Sequence, residues 1–459
     1  DVYKRQVLEL MTHPAEKASV FSGMTKARVD DYAAPVSLDF TQLAHALRAP
    51  IHFVTHYDAI RNVDKILSDK KVNEALVRKL GPERRDEFRR WMEAVASNNA
   101  DRHNSGKVNA FIQQVRTNLT VAVLGLSFTT GVSQAFGYAT SVAQLGQDGK
   151  GGFSTKDGVK WMMVGLDQYL SSPAETVKHA TALSGEMRHR LGNSDRDLSD
   201  TLGSLSGKVS MFRVAQRASL KAIGGIQFYV VDVPTWTGAY NKGLSQGMDE
   251  QAAVEYADTI LRTSQASGHT KDLAALQRQK GLPQLLTMFT TYTTLLYGLL
   301  GQTITGMKPS EPSKVAGGIS RLVWLMAVPA VADAFLRQEG PPEDDEDGAM
   351  AWWGLKTLLY GVKSTPLVGQ IAGSVGEGYR ATLSPVENLL GTKIPQAIKS
   401  AMKLMQEDEE LELKDARKIV DAVGLTIGMP GTTQVVRALK ALEDEDAEFY
   451  DYLVTPKKK

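Results

Sequence analysis

His52 and His56 stand four residues apart, so on a helix they share one face, as the paired histidines of a zinc hydrolase do. That chemistry needs a glutamate base directly after the first histidine, and Phe53 occupies the position. Asp58 supplies a third ligand only if the helix bends, so the pair reads as the polar edge of a packed helix. The run Gly146-Gln-Asp-Gly149-Lys150-Gly-Gly152 invites comparison with a phosphate cradle. A P-loop, however, requires a strand before it and Ser or Thr after the lysine. Here an uncharged helical run precedes the glycines and Gly151 follows the lysine, which makes the segment a connector.

Asp232 is the carboxylate of most interest. It lies within Phe228-Tyr-Val-Val-Asp-Val-Pro234, whose apolar side chains should bury it. A buried carboxylate must find a cation or hydrogen-bond donors, or take up a proton. Arg188, Arg190, Arg213 and Arg217 are the cations within reach of a helical neighbour, so a structural ion pair is the first reading. The alternative is an enzyme site split across helices around Asp232 and Arg188, although no second carboxylate or histidine stands beside Asp232 in sequence. Asp258 is expected to order a helix–helix contact, and Trp236 and Tyr240, four apart, form one aromatic packing face. Stacking on nucleotides would want basic neighbours, which those aromatics lack. Arg78-Lys79, Arg84-Arg85 and Arg89-Arg90 alternate with Glu83, Asp86 and Glu87, the pattern of a solvated helix face. A nucleic-acid-handling module using that face is the remaining alternative.

The elements that carry these residues are helical. Val72, Leu76 and Leu80 repeat every four residues, Gly81-Pro82 stops one helix and opens the next, and Phe88, Trp91, Met92 and Val95 continue the stripe. A helical region runs from Trp161 to Val233 with breaks near Gly192 and Gly203, and Pro234 is expected to end it. Asp249 is placed to cap a helix reaching Gln265, with Ala253, Tyr256, Ala257, Ile260 and Leu261 along one face. A long uncharged helix is expected from Leu282 to Met307, followed by a linker at Lys308–Ser313. The apolar run Leu322–Leu336 and the acidic, proline-bearing linker Glu339–Gly348 come next, then short helices broken at Pro366, Pro385, Pro395 and Pro430. The class is all-α. The divisions are residues 1–6, 7–110 (amphipathic helices), 111–310 (the main helical region), 311–348 (apolar helix and linker) and 349–459. Asp1-Val-Tyr-Lys-Arg-Gln6 resembles an adaptor scar, and the chain is expected to be a piece of a longer one, with frayed Pro456–Lys459 at the other end.

A net charge of +1 gives no global field to draw nucleic acid or anionic lipid. With no cysteine, disulfides and thiolate chemistry are excluded. Thr117–Gln147 and Gly281–Met307 carry no charge and are long enough to cross a hydrocarbon core of about 30 Å. Leu322–Leu336, with Pro329 and Asp333, reads as too short to span alone. Small and hydroxylated residues in the long runs suit close packing against other helices, so burial in a helical assembly is the first expectation and conditional insertion into a membrane the second.

One ordered set of positions resembles a known group. Ser184-Gly-Glu-Met187-Arg188-His-Arg190 is followed by Asp232, Trp236-Thr-Gly-Ala239-Tyr240, Gly247, Ala253 and Ala257-Asp258. Thr263-Ser264-Gln265, Asp272-Leu273, Met288-Phe289 and Tyr292 continue it. Pro366–Ile371, Ser384-Pro385-Val386 and Gly428-Met-Pro-Gly431 close it. The order is similar to the helical C-terminal regions of phage and prophage large polyvalent proteins, including related internal virion proteins, over roughly residues 40–440. The resemblance implies a non-enzymatic packing, scaffolding or delivery module with no cofactor or metal. It further implies self-association or other virion proteins as partners, the host membrane as a further one, and no sequence-specific binding of nucleic acid. The expected location is the virion, or the host cytoplasm or envelope after delivery. Arg188, Arg190, Asp232, Trp236, Tyr240, Asp258, Gln265, Asp272 and Phe289 are then structural positions.

Overall fold

The computed structural model describes residues 41–96, 107–127, 134–149, 151–191, 210–278, 287–336, 346–363, 388–403 and 412–443, with positions 131, 339–341, 447 and 453. Residues 1–6, the breaks near Gly192 and Gly203, Pro366, Pro385 and the tail lie outside the described residues. The chain is all-α: helices dominate, and the extended pairing found among the described residues is one isolated bridge, Gln147 with Phe153. It divides into two compact units, Asp1–Ala110 with His269–Gln284, and Phe111–Gly268 with Leu285–Lys459.

In the first unit α1 (Thr41–Ser68) leads into α2 (Lys70–Leu80) and α3 (Pro82–Ala96). The Asp69 carboxylate accepts from the backbone N–H groups of Lys71 and Val72, capping α2. Gly81, at φ +84°, turns the chain so that Pro82 can open α3. Ile60, Met92 and Ala96 form the apolar centre with Tyr57, Leu67, Trp91 and Val95. The Trp91 indole donates to the Lys271 carbonyl at 3.0 Å and Arg278 reaches Glu87 at 2.6 Å, tying residues 271–278 to α3.

The second unit starts with α4 (Lys107–Leu124, from Phe111 onward), α5 (Gly137–Leu145), α6 (Thr155–Ser171), α7 (Pro173–Leu183) and α8 (Gly185–Arg190). Then α9 (Met211–Ile226) passes through a π turn, Gln227–Asp232, into α10 (Val233–Ser245), and α11 (Glu250–Ser264) follows, capped by Asp249 at 2.8 Å. Further on lie α12 (Thr291–Gly306), then α13 (Pro312–Leu322), the π turn Val323–Ala327 and α14 (Val328–Leu336) as one 25-residue rod, then α15 (Glu346–Lys363). The π turn Leu389–Lys393 leads into α16 (Ile394–Lys403), and α17 (Leu413–Ile427) and α18 (Thr432–Leu442) close the unit. Met162, Met187, Phe228, Trp236, Ala257 and Leu261 stand at the centre of the largest core.

Several expectations change. Pro234 does not end its helix, and Pro395 does not break one. In all three π turns the residue just before the proline, Val233, Val328 or Ile394, donates its N–H to the carbonyl five back, at Phe228, Val323 or Leu389. A proline inside an α-helix clashes with the carbonyl four residues before it and leaves that carbonyl without its N–H. The wider turn makes room for the ring, so Pro234, Pro329 and Pro395 sit inside continuous rods. The carbonyl that Pro234 cannot serve, on Val230, accepts instead from the Tyr138 hydroxyl.

Neither long uncharged run is one helix. α4 ends at Leu124 and Leu126 takes φ +57°, so the apolar stretch is split before α5. The second run turns at Phe289, φ +60°, and its helix begins at Thr291. A left-handed backbone at a bulky residue costs roughly 1–3 kcal/mol, so neither turn is marked by a residue that favours it. Sixteen residues make α12 about 24 Å long at 1.5 Å per residue, shorter than a hydrocarbon core. The linker expected at Lys308–Ser313 is shorter too, since Pro312 already opens α13. Pro430 does mark a break, in the turn between α17 and α18.

Candidate functional site

The charged centre of the second unit is assembled from α8, the π turn before α10 and the residue after α11. Ser184 caps α8, its hydroxyl accepting from the Met187 N–H at 3.0 Å, and the helix carries Glu186 and Arg190 into the core. The π turn puts Asp232 on the same side. Arg190 donates from Nε to Glu186 at 2.8 Å and from Nη1 to Asp232 Oδ2 at 3.4 Å, with its side chain 1% exposed and that of Asp232 0%. The other Asp232 oxygen accepts from Gln227 Nε2 at 2.9 Å. Gln227 also donates to Gln265 Oε1, while Gln265 Nε2 donates to the Gly137 carbonyl and Ser141 Oγ, both at 2.8 Å. Donors and acceptors are matched in a closed chain from α8 to α5.

Burial raises the Asp232 pKa above its ordinary value, against the pull of Arg190 and Gln227. For Arg190 burial acts to lower the pKa, and the carboxylates of Asp232 and Glu186 outweigh it, leaving the value raised. Removing one member of such a group strands a charge in the interior. Of the four arginines considered, Arg190 therefore holds Asp232. Arg188 is exposed and donates to the carbonyls of Thr181 and Ala182, so Arg190 and not Arg188 is the arginine paired with Asp232.

A second cluster adjoins it. Asp258 Oδ1 accepts from the Trp236 indole at 2.7 Å and from the Ser184 hydroxyl at 2.6 Å, so one carboxylate joins α8, α10 and α11. Burial raises the Asp258 pKa, opposed by these two bonds. Trp236 and Tyr240 are stacked at 5.2 Å with planes 8° apart, and His179 meets both edge-on. α10 lies very close to α6: a Cβ on Gly165 would strike the Pro234 carbonyl, and one on Gly238 the Trp161 carbonyl.

No protein-family model matches the chain, and no curated protein or solved structure matches it.

Two cations went unnoticed in the sequence. Lys242 Nζ donates to the carbonyls of Leu145 and Gln147, and Arg321 donates to the Ala143 carbonyl at 3.1 Å and Gln144 Oε1 at 2.9 Å. Both neutralise the negative end of buried α5. Burial lowers the Lys242 pKa, against the pull of the Asp157 and Asp148 carboxylates, and burial pulls Arg321 down to about 10. The available signal was a lone cation inside an otherwise apolar helical run.

The remaining positions are scattered. Phe289 packs with the cluster around Met288 and Leu425, and Asp272 sits exposed at the end of a short turn in the first unit. His56 is exposed and its Nδ1 bonds the Thr55 hydroxyl, while the His52 side chain lies outside the described residues. Among the described residues no three metal-binding side chains cluster. The glycine-rich connector closes on itself, Asp148 accepting from the Gly152 N–H at 2.8 Å. On the basic face of α3, Arg85 pairs with Asp86, Arg89 with Glu93 and Arg90 with Glu87. A small cavity lies among Asp64, Leu67, Leu76, Arg85, Arg89 and Met92, away from the Asp232 chain in sequence and in the other unit.

Proposed function

We propose that the chain is a non-enzymatic helical packing module, one whose work is to hold rods together and present them to other rods. The observation that carries this reading is the enclosure of its most reactive-looking group. Asp232 and Arg190 are sealed, and the chain's own side chains take up both carboxylate oxygens and the guanidinium. A substrate would have to open the core to reach them, whereas a structural clasp requires that very closure. The order of residues around Arg190, Asp232 and Trp236, similar to phage polyvalent and internal virion proteins, supports a role as a packing or delivery segment. On that reading the module travels in a virion, its partners are further copies of itself or other virion proteins, and delivery leaves it in the host cytoplasm or envelope.

Circular dichroism with light scattering over a range of concentrations tests the proposal. The expected result is a strongly helical chain whose mass exceeds one copy, or which partitions onto lipid vesicles. A helical monomer of constant mass, indifferent to lipid, would overturn it.

A further inference from the structure

The rod of α13, its π turn and α14 runs unbroken for 25 residues, about 37 Å at 1.5 Å per residue. Its most apolar 18-residue stretch has a mean hydropathy of 1.6, and only a third of that stretch is buried. A core helix of that composition would be mostly covered. From Arg321 to Leu336 the exposed residues are Val323, Val328, Val331 and Phe335, all apolar. The step from Val323 to Val328 is five residues, one π turn, so the extra residue keeps the stripe on one side of the rod. α15, which packs against α14 and the π turn, repeats the pattern. Its exposed positions from Met350 to Val362 are Met350, Ala351, Gly354, Leu355, Leu358 and Val362, again without a polar side chain.

The charges of the rod are turned away from this face. Arg321 is buried on the carbonyl end of α5, Asp333 is half-buried and acts electrostatically on Tyr360 of α15, and Lys314 pairs with Glu311 at the rod's start. Lys356 pairs with Glu339 and lies 5.0 Å from the centre of the Trp352 ring. A surface shared with a soluble protein carries a polar rim and scattered hydrogen-bonding groups. A surface meant for hydrocarbon cannot have them, because lipid satisfies no donor or acceptor.

We infer that the π turn with α14 and α15 form a lipid-docking hairpin, whose two uncharged stripes lie together in the interfacial layer of a bilayer while the inner faces stay packed on the protein. The inference deepens the packing proposal by naming lipid as what covers these two helices. The exposed stripes hold no Lys or Arg, and the sequence is acidic from Glu343 in the connector to Asp347 in the first turn of α15. Attachment is therefore driven by apolar partition, and anionic headgroups add nothing to it.

The test floats the full chain with phosphatidylcholine vesicles, with and without added phosphatidylserine, and compares Phe335→Glu/Leu358→Glu with Thr305→Glu as an exposed control. The expected result is flotation that is independent of salt and not increased by phosphatidylserine. It should fall at least tenfold in the double variant and stay unchanged in the control, with the three melting curves alike. Failure to float, flotation untouched by the double substitution, or flotation only with phosphatidylserine overturns the inference. Light scattering without lipid separates the two proposals. A multimer dissolved by the same substitutions, with no flotation, assigns the stripes to a second copy and leaves the packing proposal standing. A monomer that also fails to float sinks both.

Discussion

The rods Met211–Ser245 and Pro312–Leu336 follow one plan: an α-helix, a π turn, a proline two residues later and a second helix. Beyond its π turn the first rod is enclosed, with Val233 to Tyr240 all buried among α6, α8 and α11. The second rod is covered on one side only. Each holds an inward cation on the end of α5, Lys242 in one and Arg321 in the other. Local sequence therefore does not decide whether such a rod becomes core or surface. What decides it is whether neighbours supply polar partners all round, as Arg190, Asp258 and the Leu145 carbonyl do for Asp232, Trp236 and Lys242 of the first.

The largest test of this contrast is Arg190→Met. It leaves Asp232 and Glu186 in the interior without a cation, at a loss of about 4 kcal/mol in chemical denaturation, as for other broken buried pairs. Adding Asp232→Leu should restore part of the loss, and a double variant whose loss equals the sum of the two single losses would show the two residues act independently. Next is Gly238→Ala, where the new methyl meets the Trp161 carbonyl and α10 must move off α6. A loss of about 2–3 kcal/mol is expected from overpacking, and an unchanged melting curve would mean the rods have slack between them.

A smaller effect concerns pH. Burial raises the Asp258 pKa above its unfolded value, so protonation favours the folded chain. The stability this adds is complete below the unfolded value near 3.8 and is lost as pH rises through the raised folded value. Asp258→Asn should flatten the stability–pH curve from just above 3.8 upward, and an unaltered curve would locate the titration elsewhere. Smallest of all is Phe335→Glu in lipid-free buffer, within about 0.5 kcal/mol as for an ordinary surface change. A loss approaching that of Arg190→Met would mean the second rod is as enclosed as the first, and the contrast would collapse.

Much of this architecture was legible in the residues. Periodicity marked the pair α2 and α3, Asp249 announced α11, and the spacing of Trp236 and Tyr240 foretold their stacking. The apolar setting of Asp232 demanded a partner, yet four arginines qualified in sequence and only packing selected Arg190. The breaks were harder, because Leu126 and Phe289 adopt a backbone that their side chains disfavour. A turn made against local preference leaves no mark in the residues that form it. Prolines misled in the opposite direction, since the wider turn that accommodates Pro234, Pro329 and Pro395 has no compositional signature.

Those three joints have a consequence for how the chain tolerates change in length. Each holds one more residue than a plain α-helix would. Deleting it, together with a proline-to-alanine exchange, would leave the backbone ladder intact while swivelling everything beyond by about 100°, one residue's share of a 3.6-residue turn. In the first rod that would point Trp236 and Tyr240 away from Asp258 and His179. In the second it would carry Val328, Val331 and Phe335 out of line with Val323. A spare residue at the joint is thus what keeps the two halves of each rod in phase.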